Sequence, residues 1–248
     1  MKNNIIPLDV SKSYILHIDK LIERNKLEIL EWFEENISDF KVNVYIYKDN
    51  NSLREGLKRR GHGLYPAHMV ACMIDEDLNN NIRRSINIYE PSINTNEVEY
   101  SKKEYDVVIY HELIHYITNI LYGKLPEWLT EGIAKYLDGS YNQDLTNLIK
   151  IIEEYEIPDI STMNRDFFVY KTYIQEENEL KEKTIYNGYD LSYIMIRYII
   201  EIYGKEYLKE LLKNKEEISK IEQTILIEAS EYYKSLYLKE NTIKNKKI

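Results

Sequence analysis

The sequence predicts an α+β fold, and two observations carry that prediction. Alternating, β-branched segments fall in the first 90 or so residues, while three- and four-residue apolar spacing dominates from residue 102 onward. Strands gathered before helices, rather than alternating with them, point to α+β rather than a doubly wound sheet.

The elements follow in order. Residues 11–37 place Ile15, Ile18, Leu21, Ile22, Leu27, Ile29, Leu30 and Phe33 on helical spacing, with Ser11 or Ser13 as cap. Residues 42–47 alternate and read as a strand. Residues 52–60 form a short helix stopped by Gly61. Residues 68–74 and 85–89 read as two further strands, separated by an acidic, Asn-rich turn over 75–81. From there the pattern is almost wholly helical, over 102–122, 126–137, 144–155, 189–203, 205–214 and 218–238. The basic tail from residue 241 is expected to fray. We read one domain spanning 1–248, with a sheet-bearing part at 1–122 and a helical part at 123–240.

Composition narrows the function. The chain has 248 residues, 44% hydrophobic and 30% charged, with a net charge of -9. That balance argues against nucleic acid as a partner, which needs concentrated positive charge. The 24 tyrosines read as a bias of the coding sequence rather than an aromatic binding surface. Cys72 is the one cysteine, so no intrachain disulfide can form, and its apolar neighbours mark it as a small buried hydrophobe. No stretch approaches the roughly 18 apolar residues of a membrane span. The start lacks an apolar signal core, so the expected location is cytoplasmic. A secreted chain already stripped of its signal peptide would read the same.

The chemistry concentrates at His111-Glu112-Leu113-Ile114-His115. Residues four apart on a helix lie about 40° apart around the axis, so the two imidazoles point the same way one turn apart. They can share one Zn²⁺, and Glu112 between them can take a proton from water that the metal acidifies. The helix around them is apolar on most sides, with Val107, Val108, Ile109, Leu113, Ile114, Ile117, Ile120 and Leu121. His111, Glu112, His115, Thr118 and Asn119 collect on one stripe, where burial without partners would be costly.

A second motif follows a short turn at Gly123. Pro126 opens the next helix, on which Leu129, Ile133, Tyr136 and Leu137 form the apolar stripe and Glu131 points away from it. The small residues Gly132 and Ala134 let this backbone approach the metal helix. Glu131 then completes a two-His, one-Glu ligand set and leaves a fourth position for water. Glu127, four residues earlier, is the rival ligand, although an acid at a helix start is already favoured by the dipole.

His111-Glu112-Leu113-Ile114-His115 followed by Trp128-Leu129-Thr130-Glu131-Gly132 resembles the gluzincin metallopeptidases, and among them the compact peptidase-MA-like branch. The second motif is also similar to that of bacterial collagenase catalytic domains. The resemblance covers about residues 40–215 and implies a zincin-like fold, a Zn²⁺ cofactor and a peptide or protein substrate. It also implies Glu131 as third zinc ligand. Thermolysin-like members carry an acid four residues after that ligand; here the position is Lys135, with Asp138 as a substitute further along.

The segment from Tyr189 is similar to a downstream element in which a Tyr, three residues before a small residue, donates its hydroxyl to the developing oxyanion. That maps onto Tyr189 with Ser192, and Tyr186 is the reserve. The strand at 86–89 takes the place of the substrate-aligning edge strand. His62, flanked by Gly61 and Gly63, belongs to a turn or to a loop over the cleft. His17 and His68 are read as an exposed helix residue and a strand residue without a role. Without a recognisable anchor for a free amine, the expected activity is that of an endopeptidase. The alternative is a regulatory or non-catalytic zincin-like binding protein.

Overall fold

The computed structural model describes residues 3–37, 40–63, 70–78, 81–91, 102–141, 145–165, 167, 169–176 and 179–245. The chain divides into two compact units, Met1–Leu121 and Tyr122–Ile248. His68 lies outside the described residues.

In the first unit a four-stranded sheet has the order β1-β2-β4-β3, with β1 at Asn4–Leu8, β2 at Asn43–Tyr47, β3 at Ala71–Leu78 and β4 at Asn81–Tyr89. β1, β2 and β4 run parallel, and β3 closes the sheet antiparallel to β4. The strand expected at 86–89 therefore lies inside the sheet, between β2 and β3. The edge strands are β1 and β3, a correction to the reading that gave 86–89 the edge role. The expected turn at 75–81 is mostly strand as well. Asp75 takes two hydrogen bonds from the Arg84 guanidinium opposite it, at 2.7 and 2.9 Å. Cross-strand charge pairing of that kind offsets the weak strand propensity of acids.

Among the described residues, three helices accompany this sheet. α1 (Lys12–Phe33) starts at Ser11, whose side chain accepts from Tyr14 N–H, and ends where Glu34 turns left-handed. Its apolar stripe of Ile18, Leu21, Ile22, Ile29, Leu30 and Phe33 is buried. The period-2 alternation of β2 and β4 puts Val44 and Ile46 opposite Ile86 and Ile88, all fully buried. The opposite face carries Tyr45, Tyr47, Ser85 and Asn87. Leu53 and Leu57 of α2 (Asn50–Arg59) join Tyr47 and Ile74 in one apolar cluster there. Just beyond α2, Arg60 donates to Glu76 at 2.7 Å, Asn87 at 2.7 Å and Ser85 at 3.1 Å, with its guanidinium over the Tyr45 ring. His62 approaches Glu76 at 3.3 Å, so it sits in a turn with a partner of its own.

α3 (Lys102–Tyr122) occupies the residues that periodicity predicts. Three side chains along its length tie it to its unit. Tyr105 packs edge-on against Tyr89, Asp106 pairs with His17 at 2.7 Å, and the Tyr116 hydroxyl donates to Lys41 O at 3.1 Å. His17 is thus half-buried and bonded rather than exposed.

The second unit contains α4 (Glu127–Asp138), α5 (Leu145–Glu153), α6 (Ile160–Arg165), β5 (Val169–Glu176), β6 (Glu179–Asn187), α7 (Gly188–Tyr203), α8 (Lys205–Lys213) and α9 (Lys215–Asn245). α7 is its centre: Leu191, Tyr193, Ile194, Met195, Ile196 and Ile199 are fully buried, and α4, α8 and α9 pack on it. A helix apolar around most of its circumference has to be enclosed in this way. A Cβ on Gly132 would lie 2.5 Å from Ser192 O and 2.6 Å from Ile196 Cγ1. The close approach that this glycine permits is to α7.

Two strands depart from the expected, almost wholly helical second half: β5 and β6 pair as an antiparallel hairpin. α9 continues to Asn245, into the tail expected to fray.

Arg60 and Glu76 keep only 19% and 14% of their side-chain surface exposed, so Arg60→Ala is expected to destabilise the fold by about 3 kcal/mol in urea titration. The Arg60 hydrogen bond holds the Glu76 carboxyl below its usual range. Its stabilising contribution is complete above the unfolded carboxyl value of about 4.3 and is lost as pH falls through the lowered folded value. Arg60→Ala should accordingly flatten the acid limb of stability against pH.

Candidate metal centre

On α3, His111 and His115 turn their Nε2 atoms toward each other at 3.0 Å, with rings nearly perpendicular at 85°. The four-residue spacing on an unbroken helix produces this convergence. His115 is buried, 6% exposed, while His111 and Glu112 are half-buried. Two imidazole ligands on one tetrahedral zinc, each about 2.0–2.1 Å away, stand roughly 3.3 Å apart. The observed separation lies within a few tenths of an ångström of that spacing, so the pair fits a shared metal.

Glu112 faces β3, where its Oε2 accepts the Met73 backbone N–H at 2.7 Å. This contact could not be read from the sequence, because the donor is a main-chain group and the register of β3 decides which amides face outward. Cys72, the next residue on the strand, is half-buried against the apolar cluster of Tyr47, Leu53, Leu57 and Ile74. Burial, and then the nearby Glu112 charge, push its thiol well above the usual range.

On α4, Glu131 is half-buried and Glu127 is exposed in the first turn. Pro126 caps this helix, and its carbonyl accepts from Thr130 Oγ1 at 3.0 Å. His111, His115 and Glu131 form a group that could hold a metal ion, one ligand atom of each lying within 4.8 Å of the others. Two nitrogens and a carboxylate suit zinc in kind and number, and leave a position open.

Tyr189 stands at the start of α7, half-buried. The Asn187 side chain accepts its backbone N–H at 3.0 Å, and Phe167 meets its ring edge-on at 5.2 Å. The adjoining Asp190 is buried and accepts hydroxyl hydrogens from Tyr141 at 2.6 Å and Tyr155 at 2.5 Å. Those bonds fasten the first turn of α7 and so the backbone that carries Tyr189. Burial, reinforced by Asp190, pushes both hydroxyls above the ordinary tyrosine range.

Lys135, where thermolysin-like sequences have an acid, places its ammonium 5.6 Å from the ring centroids of both Tyr141 and Tyr189. Asp138 accepts Ser140 N–H at 2.7 Å and holds the turn after α4. Tyr186 lies on β6, buried and stacked on Tyr170.

No helix of the described residues is long and apolar enough to cross a membrane. A family model for the Peptidase MA superfamily matches residues 38–230, a span that includes His111, Glu112, His115, Glu131 and Tyr189. No curated protein matches the sequence.

Because its thiol stays protonated near neutral pH, Cys72 should react only slowly with a disulfide reagent in the native protein, and fully once the chain is unfolded in guanidinium. Titration with Ellman's reagent at pH 8 measures both states.

Proposed function

This chain belongs to the Peptidase MA superfamily, and from that membership we propose that it is a zinc-dependent peptidase, cleaving within peptide chains. The observation that carries the reading is the convergence of His111, His115 and Glu131 on one cluster of ligand atoms, with Glu112 on the same helix as the two histidines. A structural zinc site fills all four positions with protein ligands. Three ligands and an adjacent carboxylate are what hydrolysis requires.

In this reading His111, His115 and Glu131 hold the zinc, and Glu131 is preferred to the exposed Glu127. A bound zinc supplies Lewis acidity, drawing water toward a pKa of about 7 and polarising a peptide carbonyl. Glu112 accepts a proton from the attacking water and passes it to the departing amine, so that one peptide bond and one water yield a carboxylate and an amine. Tyr189 donates its hydroxyl to the oxygen that gains negative charge. It is preferred to Tyr186 because that side chain is buried and stacked on Tyr170, whereas Tyr189 is half-exposed with its ring beside Phe167 and Lys135. The substrate is a peptide or protein.

Plasma mass spectrometry on the purified protein tests the ligand set. The expected result is about one zinc per chain, largely lost in Glu131→Ala and retained in Glu127→Ala; a zinc-free wild-type chain would overturn the reading. A blocked peptide library then tests hydrolysis. Glu112→Gln should lower kcat by roughly 10²–10⁴-fold with zinc retained. Zinc without any cleavage would favour a non-catalytic member that only binds a partner.

Tyr189→Phe should reduce kcat by about 10²-fold with little change in KM, the size expected for one lost oxyanion donor. The same loss in Tyr186→Phe, with Tyr189→Phe near wild type, would move the role to Tyr186.

A further inference from the structure

The hydrogen bond between Glu112 and Met73 joins the metal helix to the edge of the sheet, and sheet geometry says what that donor is. In an antiparallel pair, residues alternate between positions that exchange ladder bonds and positions whose N–H and C=O point away from the partner. Met73 stands opposite Ile86 on β4, yet its N–H goes to Glu112 Oε2. Met73 is therefore a position of the second kind, and its amide leaves the sheet at the open edge of β3. By the same alternation, Cys72 and Ile74 are ladder positions, paired with Asn87 and Ser85.

An outward amide on an edge strand ordinarily meets water or another strand. Here it meets the carboxyl side chain next to His111. At 2.7 Å the bond has the length of a charge-assisted one. Glu112 has three rotatable side-chain torsions, and α3 alone leaves its carboxylate several staggered positions. A main-chain donor on a paired strand removes that freedom, since it holds one oxygen and leaves the other to take a proton. No ordinary substitution at position 73 deletes this donor; only proline does.

We propose that the Met73 backbone amide is the positioning group for the Glu112 carboxylate, holding it in place for proton transfer. The proposal rests on the reading of Glu112 as the general base. It adds to that reading a role for β3 that no side chain of the strand reveals.

Amide hydrogen exchange, resolved by residue in the full chain, tests the bond without depending on activity. The samples are wild type, Glu112→Gln and Glu112→Ala, with zinc content and thermal midpoint measured on each. The expected result is a Met73 amide that exchanges at least about tenfold faster in Glu112→Ala. Glu112→Gln should fall between the two, because its amide oxygen still accepts, and Cys72 and Ile74 should not change. Equal Met73 rates in wild type and Glu112→Ala overturn the proposal and leave the zinc reading standing. A zinc-free wild type that keeps the exchange contrast removes the peptidase reading and the positioning role with it.

Met73→Pro supplies the kinetic arm. It costs no ladder bond, because proline is tolerated where an edge N–H faces outward. Kcat should drop about tenfold, with KM and zinc content preserved; a rise in KM at constant kcat overturns the proposal.

Discussion

Helix α3 buries polar groups that it cannot leave without partners, and much of the first unit follows from that constraint. An imidazole or carboxylate withdrawn from water needs a hydrogen bond, a counter-charge or a metal. His115 is 6% exposed within an apolar helix and turns its Nε2 to that of His111. For the two imidazoles to stay convergent, α3 must not rotate about its axis. Tyr105, Asp106 and Tyr116 prevent this by contacts with Tyr89, His17 and Lys41, distributed from the first turns of the helix to its middle. Glu112 adds a fourth fastening on β3.

The second unit answers a similar demand with different chemistry. α7 is enclosed by apolar contacts, but its first turn carries the buried Asp190. Tyr141 and Tyr155 satisfy that carboxylate with short hydroxyl bonds, a small polar network inside an apolar core. Lys135 stands where thermolysin-like sequences carry an acid, and its charge goes to the faces of Tyr141 and Tyr189. The departure from that pattern thus coincides with a changed local arrangement, in which a cation over aromatic rings occupies the position of a carboxylate.

How much of this was legible in the sequence depended on the range of the interaction. Periodicity alone delimited α3, because 21 residues of helical spacing leave little ambiguity, and the strands-then-helices order indicated α+β. The His111–His115 convergence was legible for the same reason, since helix geometry fixes the direction of both side chains. Edge and interior strands could not be told apart. Alternation marks a face of a strand and not its neighbours, so the pairing of β3 with β4, and with it the role of Met73, came only from the sheet. The hairpin at β5 and β6 is not legible although Val169, Thr172, Ile174, Thr184 and Ile185 carry a β-branched signal, because dense Lys and Glu between them obscure the alternation. Asp75 and Glu76 read as a turn in the sequence because their strand conformation depends on arginines 9 and 16 residues away.

The central claim is that two imidazoles and one carboxylate on successive helices hold a zinc ion with a position left open. X-ray absorption at the zinc edge, recorded on the purified full chain, tests it most directly. The account predicts a first shell of nitrogen and oxygen only, with about two imidazoles at roughly 2.0–2.1 Å, and loss of the signal in His115→Ala. A shell that includes sulfur, four histidines, or zinc retained undiminished in His115→Ala would contradict it.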